Sequence, residues 1–129
     1  MREILFKAKR KDNGEWVEGC IVIDQSRLNI FKYRIQPIES GVLYAPPIDP
    51  DTICQLTGLI DKNGYKIWEG DIVEIAGEDG YFACEWEEDT ARFVLNGDGL
   101  VVDFDNYYGY ACEIAGNIFD NPDLLEVKK

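Results

Sequence analysis

Four cysteines, many carboxylates and one glycine-rich run are the parts of this sequence whose residue types could do chemistry. Cys20, Cys54, Cys84 and Cys112 are dispersed along the chain, and there is no histidine. A structural zinc site needs thiolates or imidazoles in pairs about two to four residues apart, so that one turn presents two ligands together. No such pair exists. Disulfides require an oxidising compartment, for which the N-terminus offers no export signal. Cys84 alternates with Phe82 and Trp86, and Cys112 with Ile114 and Ile118, a pattern that predicts reduced thiols buried in a core. Serine or cysteine triads lack their histidine base. Carboxylate chemistry is left: Asp49 and Asp51 flank Pro50, while Asp103 and Asp105 share one side of a predicted strand. Such pairs can hold a hard cation or serve as acid and base, yet neither has calcium-loop spacing. Solvation of strand ends and turns explains them equally well.

Residues 58–73, GLIDKNGYKIWEGDIV, carry the densest turn chemistry. Glycine-rich loops that cradle phosphate normally open a helix, whose first amides complete the anion site. The flanking pattern here is β, which assigns Gly58, Asp61, Asn63, Gly64, Gly70 and Asp71 to structural turns. Gly64 and Gly70 are expected to require positive φ or close backbone approach. A different loop suggests recognition. Tyr107, Tyr108 and Tyr110 surround Gly109 after Asp103, Phe104 and Asp105, and could offer aromatic anchors to another protein or simply pack over a barrel end. Stacking of single-stranded bases would need a basic groove beside them, and none is visible. Trp16, Trp68 and Trp86 read as core or as the cover of a barrel mouth.

The elements that must position these residues are mostly strands. Ile4, Phe6 and Ala8 alternate with Leu5, Lys7 and Lys9; a turn at Lys11, Asp12, Asn13 and Gly14 leads to a second strand from Trp16 to Ile23. Residues 26–38 fit a strand through Ile30, Phe31, Tyr33 and Ile35, or a short helix beginning near Ser26. Three prolines, Pro46, Pro47 and Pro50, impose extended or turning backbone and mark a boundary. Beyond it, apolar runs at 53–59, 81–86, 91–95, 100–104 and 112–119 alternate with turns at 61–64, 69–71, 77–80 and 96–99. Short strands joined by tight turns predict a small, mostly antiparallel barrel. Asn121 and Pro122 suit the cap and first position of one closing helical turn. The organisation expected is an N-terminal β region over 1–50 and a barrel over 51–129, with little helix.

The chain has 129 residues, 46% of them hydrophobic, enough for a core. Twenty-five acidic residues against thirteen basic ones give a formal charge of -12. That excess argues against binding a phosphate backbone. It suits a self-repelling soluble surface, or an acidic face offered to a basic partner. The one basic concentration, Lys7, Lys9, Arg10 and Lys11, does not reverse it. The absence of an apolar span and of a signal sequence points to the cytoplasm and away from membranes.

The run from Ile53 to Leu59, the turn from Asp61 to Gly64 and the segment from Ile67 to Val73 together resemble the signature of the YopX family, proteins of bacteriophages and prophages. The opening from Arg2 to Ala8 and the ending from Ala115 to Leu125 agree with it. The resemblance implies an SH3-like barrel in the C-terminal part and brings no catalytic or binding residues. Cys54 and Cys112 are not part of that signature.

The reading that emerges is a non-enzymatic, cofactor-free interaction module of phage or prophage type in a bacterial cytoplasm. Its partner would be a protein of basic character, with self-association through open strand edges as a further expectation. Two alternatives stand beside it: a carboxylate-dependent metal-using enzyme, and a nucleic-acid binder or acidic mimic of nucleic acid.

Overall fold

The computed structural model describes residues 3–25, 32–38, 44–97, 100–105 and 111–126. The chain is mainly β, and its described residues form antiparallel strands with two short 3-10 turns. It divides into two compact units, Met1–Gln55 and Leu56–Lys129.

In the first unit, β1 (Phe6–Lys9) and β2 (Trp16–Ile23) form a hairpin in which Ala8 faces Val17 and Lys9 faces Trp16. Its turn is closed by the Gly14 amide, which donates to the Arg10 carbonyl (2.9 Å). β3 (Tyr33–Pro37) continues the sheet, with Gly19 opposite Pro37 and Ile21 opposite Ile35. Residues 26–31, where strand and helix were both open, lie outside the described residues.

The proline segment is more ordered than its composition suggests. The Ile48 amide donates to the Tyr33 carbonyl and the Ile35 amide to the Pro46 carbonyl, both at 3.1 Å. On its opposite side, the Asp49 amide donates to the Lys9 carbonyl (2.9 Å) and the Lys11 amide to the Pro47 carbonyl (3.1 Å). Residues 46–49 thus bridge β3 to the end of β1 and close the first unit into a small ring of strands. Proline forbids a donor but not an acceptor, and the two donors used belong to Ile48 and Asp49. The side of β3 away from β2 is therefore paired here. Ala8, Ile35 and Ile48 fill the ring, with Val17, Ile21, Tyr33 and Ile53 packed around them.

β4 (Cys54–Ile60) runs through the division between units: Cys54 and Gln55 pair with β1, and Leu56 and Ile60 pair with β5 (Lys66–Trp68). The second unit's main sheet consists of β6 (Asp71–Ile75), β7 (Phe82–Glu87), β8 (Arg92–Gly97), β9 (Leu100–Asp103) and β10 (Cys112–Asn117), in the order β10-β6-β7-β8-β9. This is an open, barrel-like antiparallel arrangement. Its core gathers Ile67, Val73, Ile75, Phe82, Cys84, Leu95 and Cys112. A fully buried isoleucine or leucine contributes roughly 1.5–3 kcal/mol, so this cluster is the main source of the unit's stability.

Several local expectations change. β8 starts at Arg92 rather than Ala91, because Ala91 takes a left-handed φ of 52° in the preceding turn. Trp68 is buried, but Trp86 is 40% exposed and meets Phe93 edge-on at 5.1 Å, at the border of the core. Ile118 is also exposed, since a register irregularity between Ile114 and Gly116 breaks the alternation that would have placed it beside Cys112. The closing turn Pro122–Glu126 does form, while the Asn121 side-chain oxygen points back to accept from the Asn117 amide (3.2 Å). Among the described residues, no helix is long and apolar enough to cross a membrane.

Candidate functional site

Asp61 organises the turn of the β4–β5 hairpin. Its side chain is 1% exposed, and one carboxylate oxygen accepts from the amides of Asn63 and Tyr65, each at 2.9 Å. The other accepts from the Ile114 amide (3.2 Å) on β10. The Lys62 amide donates to the Cys112 carbonyl (2.9 Å), so the same turn docks onto β10 by main chain and side chain together. Gly64 closes it at φ 84°. At the second turn Gly70 has φ 90°; its amide donates to the Cys84 carbonyl (2.8 Å) and its carbonyl accepts from Ile118 (2.9 Å). Asp71, buried, accepts from the Trp68 amide at 2.8 Å. Gly58, at φ 88°, lies where the β4–β5 register shifts. Asp61, Asn63, Gly64, Gly70 and Asp71 are thus tied into the fold by hydrogen bonds to or from the backbone.

Cys54, Cys84 and Cys112 are buried and reduced. Burial pushes Cys84 far up, helped by the negative charges of Asp71 and Glu69. Burial likewise raises Cys112, with Asp61 adding to the effect, to about 11. Both are held as inert protonated thiols. Cys20 departs from the expectation of buried thiols: it lies on the exposed side of β2, because the faces alternate and Gly19 and Ile21 take the inner one.

The carboxylate pairs are engaged locally. Asp49 caps the 3-10 turn Pro50–Thr52 by accepting from the Asp51 amide (3.0 Å). Asp103 is paired with Arg92 across the β8–β9 ladder. Among the described residues, no group of three cysteine or carboxylate side chains is placed to hold a metal ion. Tyr107, Tyr108 and Tyr110 lie outside the described residues.

A concave site that sequence reasoning did not identify lies in the first unit, a cleft of about 600 Å³. Its walls are the β1–β2 turn, contributing Arg10 and Glu15, and the approach to the proline segment, contributing Tyr44 and Pro46. Trp16, Val17 and Glu18 of β2 and the β3 end at Pro37 and Ile38 form the floor between them. Tyr44 and Ile38 are 60% and 59% exposed, so large apolar groups face solvent. The backbone beneath them is tightly packed: a Cβ on Gly19 would overlap the Gln36 carbonyl.

The charge around this cleft is mixed. Arg10 donates through both Nε and Nη2 to the Asp12 carboxylate (2.9 and 2.6 Å), which raises the Arg10 pKa and lowers that of Asp12. That bidentate pair neutralises the basic wall. Glu15 and Glu18, both exposed, add carboxylates to the lining. Cations already visit the aromatic rings: Lys7 and Lys9 lie 4.7 and 5.4 Å from the Trp16 centroid, and Arg34 lies 6.0 Å from that of Tyr44. The signal in the sequence was the pairing of Trp16 with two glutamates and of Tyr44 with two prolines. Only the ring closure brings those segments together.

The units also differ in charge. Met1–Gln55 holds eight basic and eight acidic residues, Leu56–Lys129 five and seventeen, so the whole net charge of -12 belongs to the second unit.

Comparison with known proteins places this geometry. No curated protein matches the chain in sequence. The crystal structure of protein EF1440 from Enterococcus faecalis is similar, with a TM-score of 0.57 and 25% sequence identity, over 97% of this chain and 99% of that one. The family model described as YopX protein matches residues 5–126. The chain therefore belongs to the YopX family.

Proposed function

We propose that this chain is a non-catalytic protein-interaction module, an accessory protein of phage or prophage type working in the bacterial cytoplasm, and that the first unit's cleft is its recognition site. The observation that carries the reading is the cleft itself: about 600 Å³, lined in part by Trp16, Tyr44 and Ile38, of which Tyr44 and Ile38 are largely exposed. Aromatic groups in a concave, partly apolar site supply binding area at low cost in side-chain entropy, which is why such residues anchor recognition. The reactive groups point away from catalysis: buried thiols are protonated, and Asp49, Asp61 and Asp103 are committed to turns and strand pairing.

Selection from a random-peptide display library tests the reading. Peptides should emerge that bind the protein and are lost with Tyr44→Ala, whose exposed side chain can be removed without opening a core. A library yielding no binder, or binders indifferent to Tyr44→Ala and Trp16→Ala, would refute it.

The charge segregation supports a second reading, in which the second unit offers an acidic surface to a basic, nucleic-acid-binding protein. Its mark would be competition with DNA for that protein, without DNA binding by this chain.

A further inference from the structure

We propose that Asn63 is a site of spontaneous deamidation, and that its conversion to isoaspartate releases the β4–β5 turn from β10. The sequence holds three Asn-Gly pairs, Asn13-Gly14, Asn63-Gly64 and Asn96-Gly97. Asparagine is thermolabile, and a following glycine leaves the main-chain amide open to the neighbouring carboxamide. The chemistry needs only water. The Gly64 nitrogen gives up its proton and bonds to the Asn63 Cγ; the Cγ–Nδ2 bond breaks, and Nδ2 takes up a proton and leaves as ammonia. Water then opens the cyclic imide. Attack at the side-chain carbonyl gives aspartate. Attack at the main-chain carbonyl gives isoaspartate, in which the chain continues through Cβ and Cγ. Nothing is oxidised or reduced.

The fold treats the three pairs differently. Asn96 lies in β8 between Ala83 of β7 and Val101 of β9, and its Nδ2 donates to a Glu85 carboxylate oxygen (3.2 Å). Gly97 is closed in by the Tyr81 carbonyl and the Phe82 ring. In the β1–β2 turn the Asn13 carboxamide is held at both ends. Its Oδ1 accepts from the Glu15 amide (2.9 Å) and its Nδ2 donates to the Glu15 carboxylate (3.4 Å). Asn63 is exposed, and its carboxamide has no hydrogen-bond partner among the described residues. The Gly14 and Gly64 amides are engaged alike, donating to the Arg10 and Asp61 carbonyls at 2.9 and 3.0 Å. The carboxamides therefore decide the order: rotation at Asn63 breaks no side-chain hydrogen bond, whereas at Asn13 and Asn96 it must.

Position 63 is also where the product does most. The Asn63 and Tyr65 amides share one oxygen of the buried Asp61 carboxylate, while the other holds the Ile114 amide of β10. Isoaspartate inserts an extra main-chain atom between the two amides that share that oxygen, and sets a second carboxylate near it. Spacing and charge both work against Asp61, so the turn loosens from β10 and the second unit loses stability.

Peptide mapping by mass spectrometry, with isoaspartyl methyltransferase labelling, follows the full chain through prolonged incubation in neutral buffer. Native protein should accumulate isoaspartate at position 63 several-fold faster than at 13 or 96. In urea-unfolded protein the three sites should converge, since each then has only its glycine neighbour. The aged native protein should show a lower urea midpoint, with faster hydrogen exchange at the Tyr65 and Ile114 amides. Asn63→Gln aged in the same way should keep its midpoint. Asn63→Asp adds the charge without the extra atom and should fall between the two. Native conversion at Asn63 no faster than at Asn13 or Asn96 would overturn the proposal. So would isoaspartate at 63 with an unchanged midpoint, or an equal loss on ageing in Asn63→Gln.

Discussion

Asp61 shows how one side chain can hold several pieces of backbone. A type I turn needs only its main-chain hydrogen bond and a suitable fourth residue, and Asn63 and Gly64 supply much of that locally. The buried carboxylate does more, serving three amides of which one belongs to a distant strand. Asp61→Ala would leave those donors without their acceptor, at about 1–3 kcal/mol for an unsatisfied buried group. The expected loss is about 2–4 kcal/mol, read as a lower urea midpoint. Asp61→Asn keeps one oxygen and should lose less; equal losses would mean that volume rather than acceptance matters. Cysteine supplies the second residue-scale prediction. The Cys112 thiol is raised from 9.0 to about 11, so between those values the unfolded chain releases a proton that the folded chain retains. The stabilisation is complete below pH 9 and is lost as pH rises toward 11. Denaturation across that range should show stability falling, with a shallower fall in Cys112→Ala. Native-state labelling near pH 8 should modify Cys20 and spare the buried three until the protein unfolds; rapid labelling of all four would contradict this burial.

At the scale of elements, much was legible because turns announce themselves locally. Lys11 to Gly14, Asp61 to Gly64 and Glu69 to Asp71 each combine residues that favour reversal, and each joins two strands of the fold. The strand from Trp16 to Ile23 was equally plain from its composition and its bounding turn. Ring closure by residues 46–49 was not, because prolines were counted as missing donors while the contacts depend on their carbonyls. The cleft was hidden for a related reason. Its lining comes from the β1–β2 hairpin and from residues 37–46, brought together by non-local pairing, and no short window contains both. Gly64 and Gly19 separate two demands for glycine. A Cβ on Gly64 would meet nothing within 4 Å, so the demand there is the φ of 84°. Gly64→Val should therefore cost about 1–2 kcal/mol, and Gly64→Asn distinctly less, because asparagine tolerates left-handed backbone. Gly19 carries no such φ, but the Gln36 carbonyl occupies the space a Cβ needs. Gly19→Ala should then destabilise the first unit despite alanine's smaller backbone entropy cost. Thermal melts of these three variants provide the check; an unchanged Gly19→Ala melt would contradict the close approach.

Across the whole molecule, charge and apolar exposure are distributed differently. The second unit holds the acidic excess and the larger core, while the first is electrically balanced and carries the cleft. Recognition on that concave surface, as proposed, would follow the general separation of fold from site. The central claim is that this surface is where a partner segment binds. Amide-resolved NMR titration of the isotopically labelled full chain with a peptide selected from the display library tests it most directly. Saturable shifts should appear at the Trp16 indole and at the amides of Glu18, Ile38 and Tyr44, while β7 and β8 stay unperturbed. Shifts concentrated in the second unit, or none at millimolar peptide, would contradict the account.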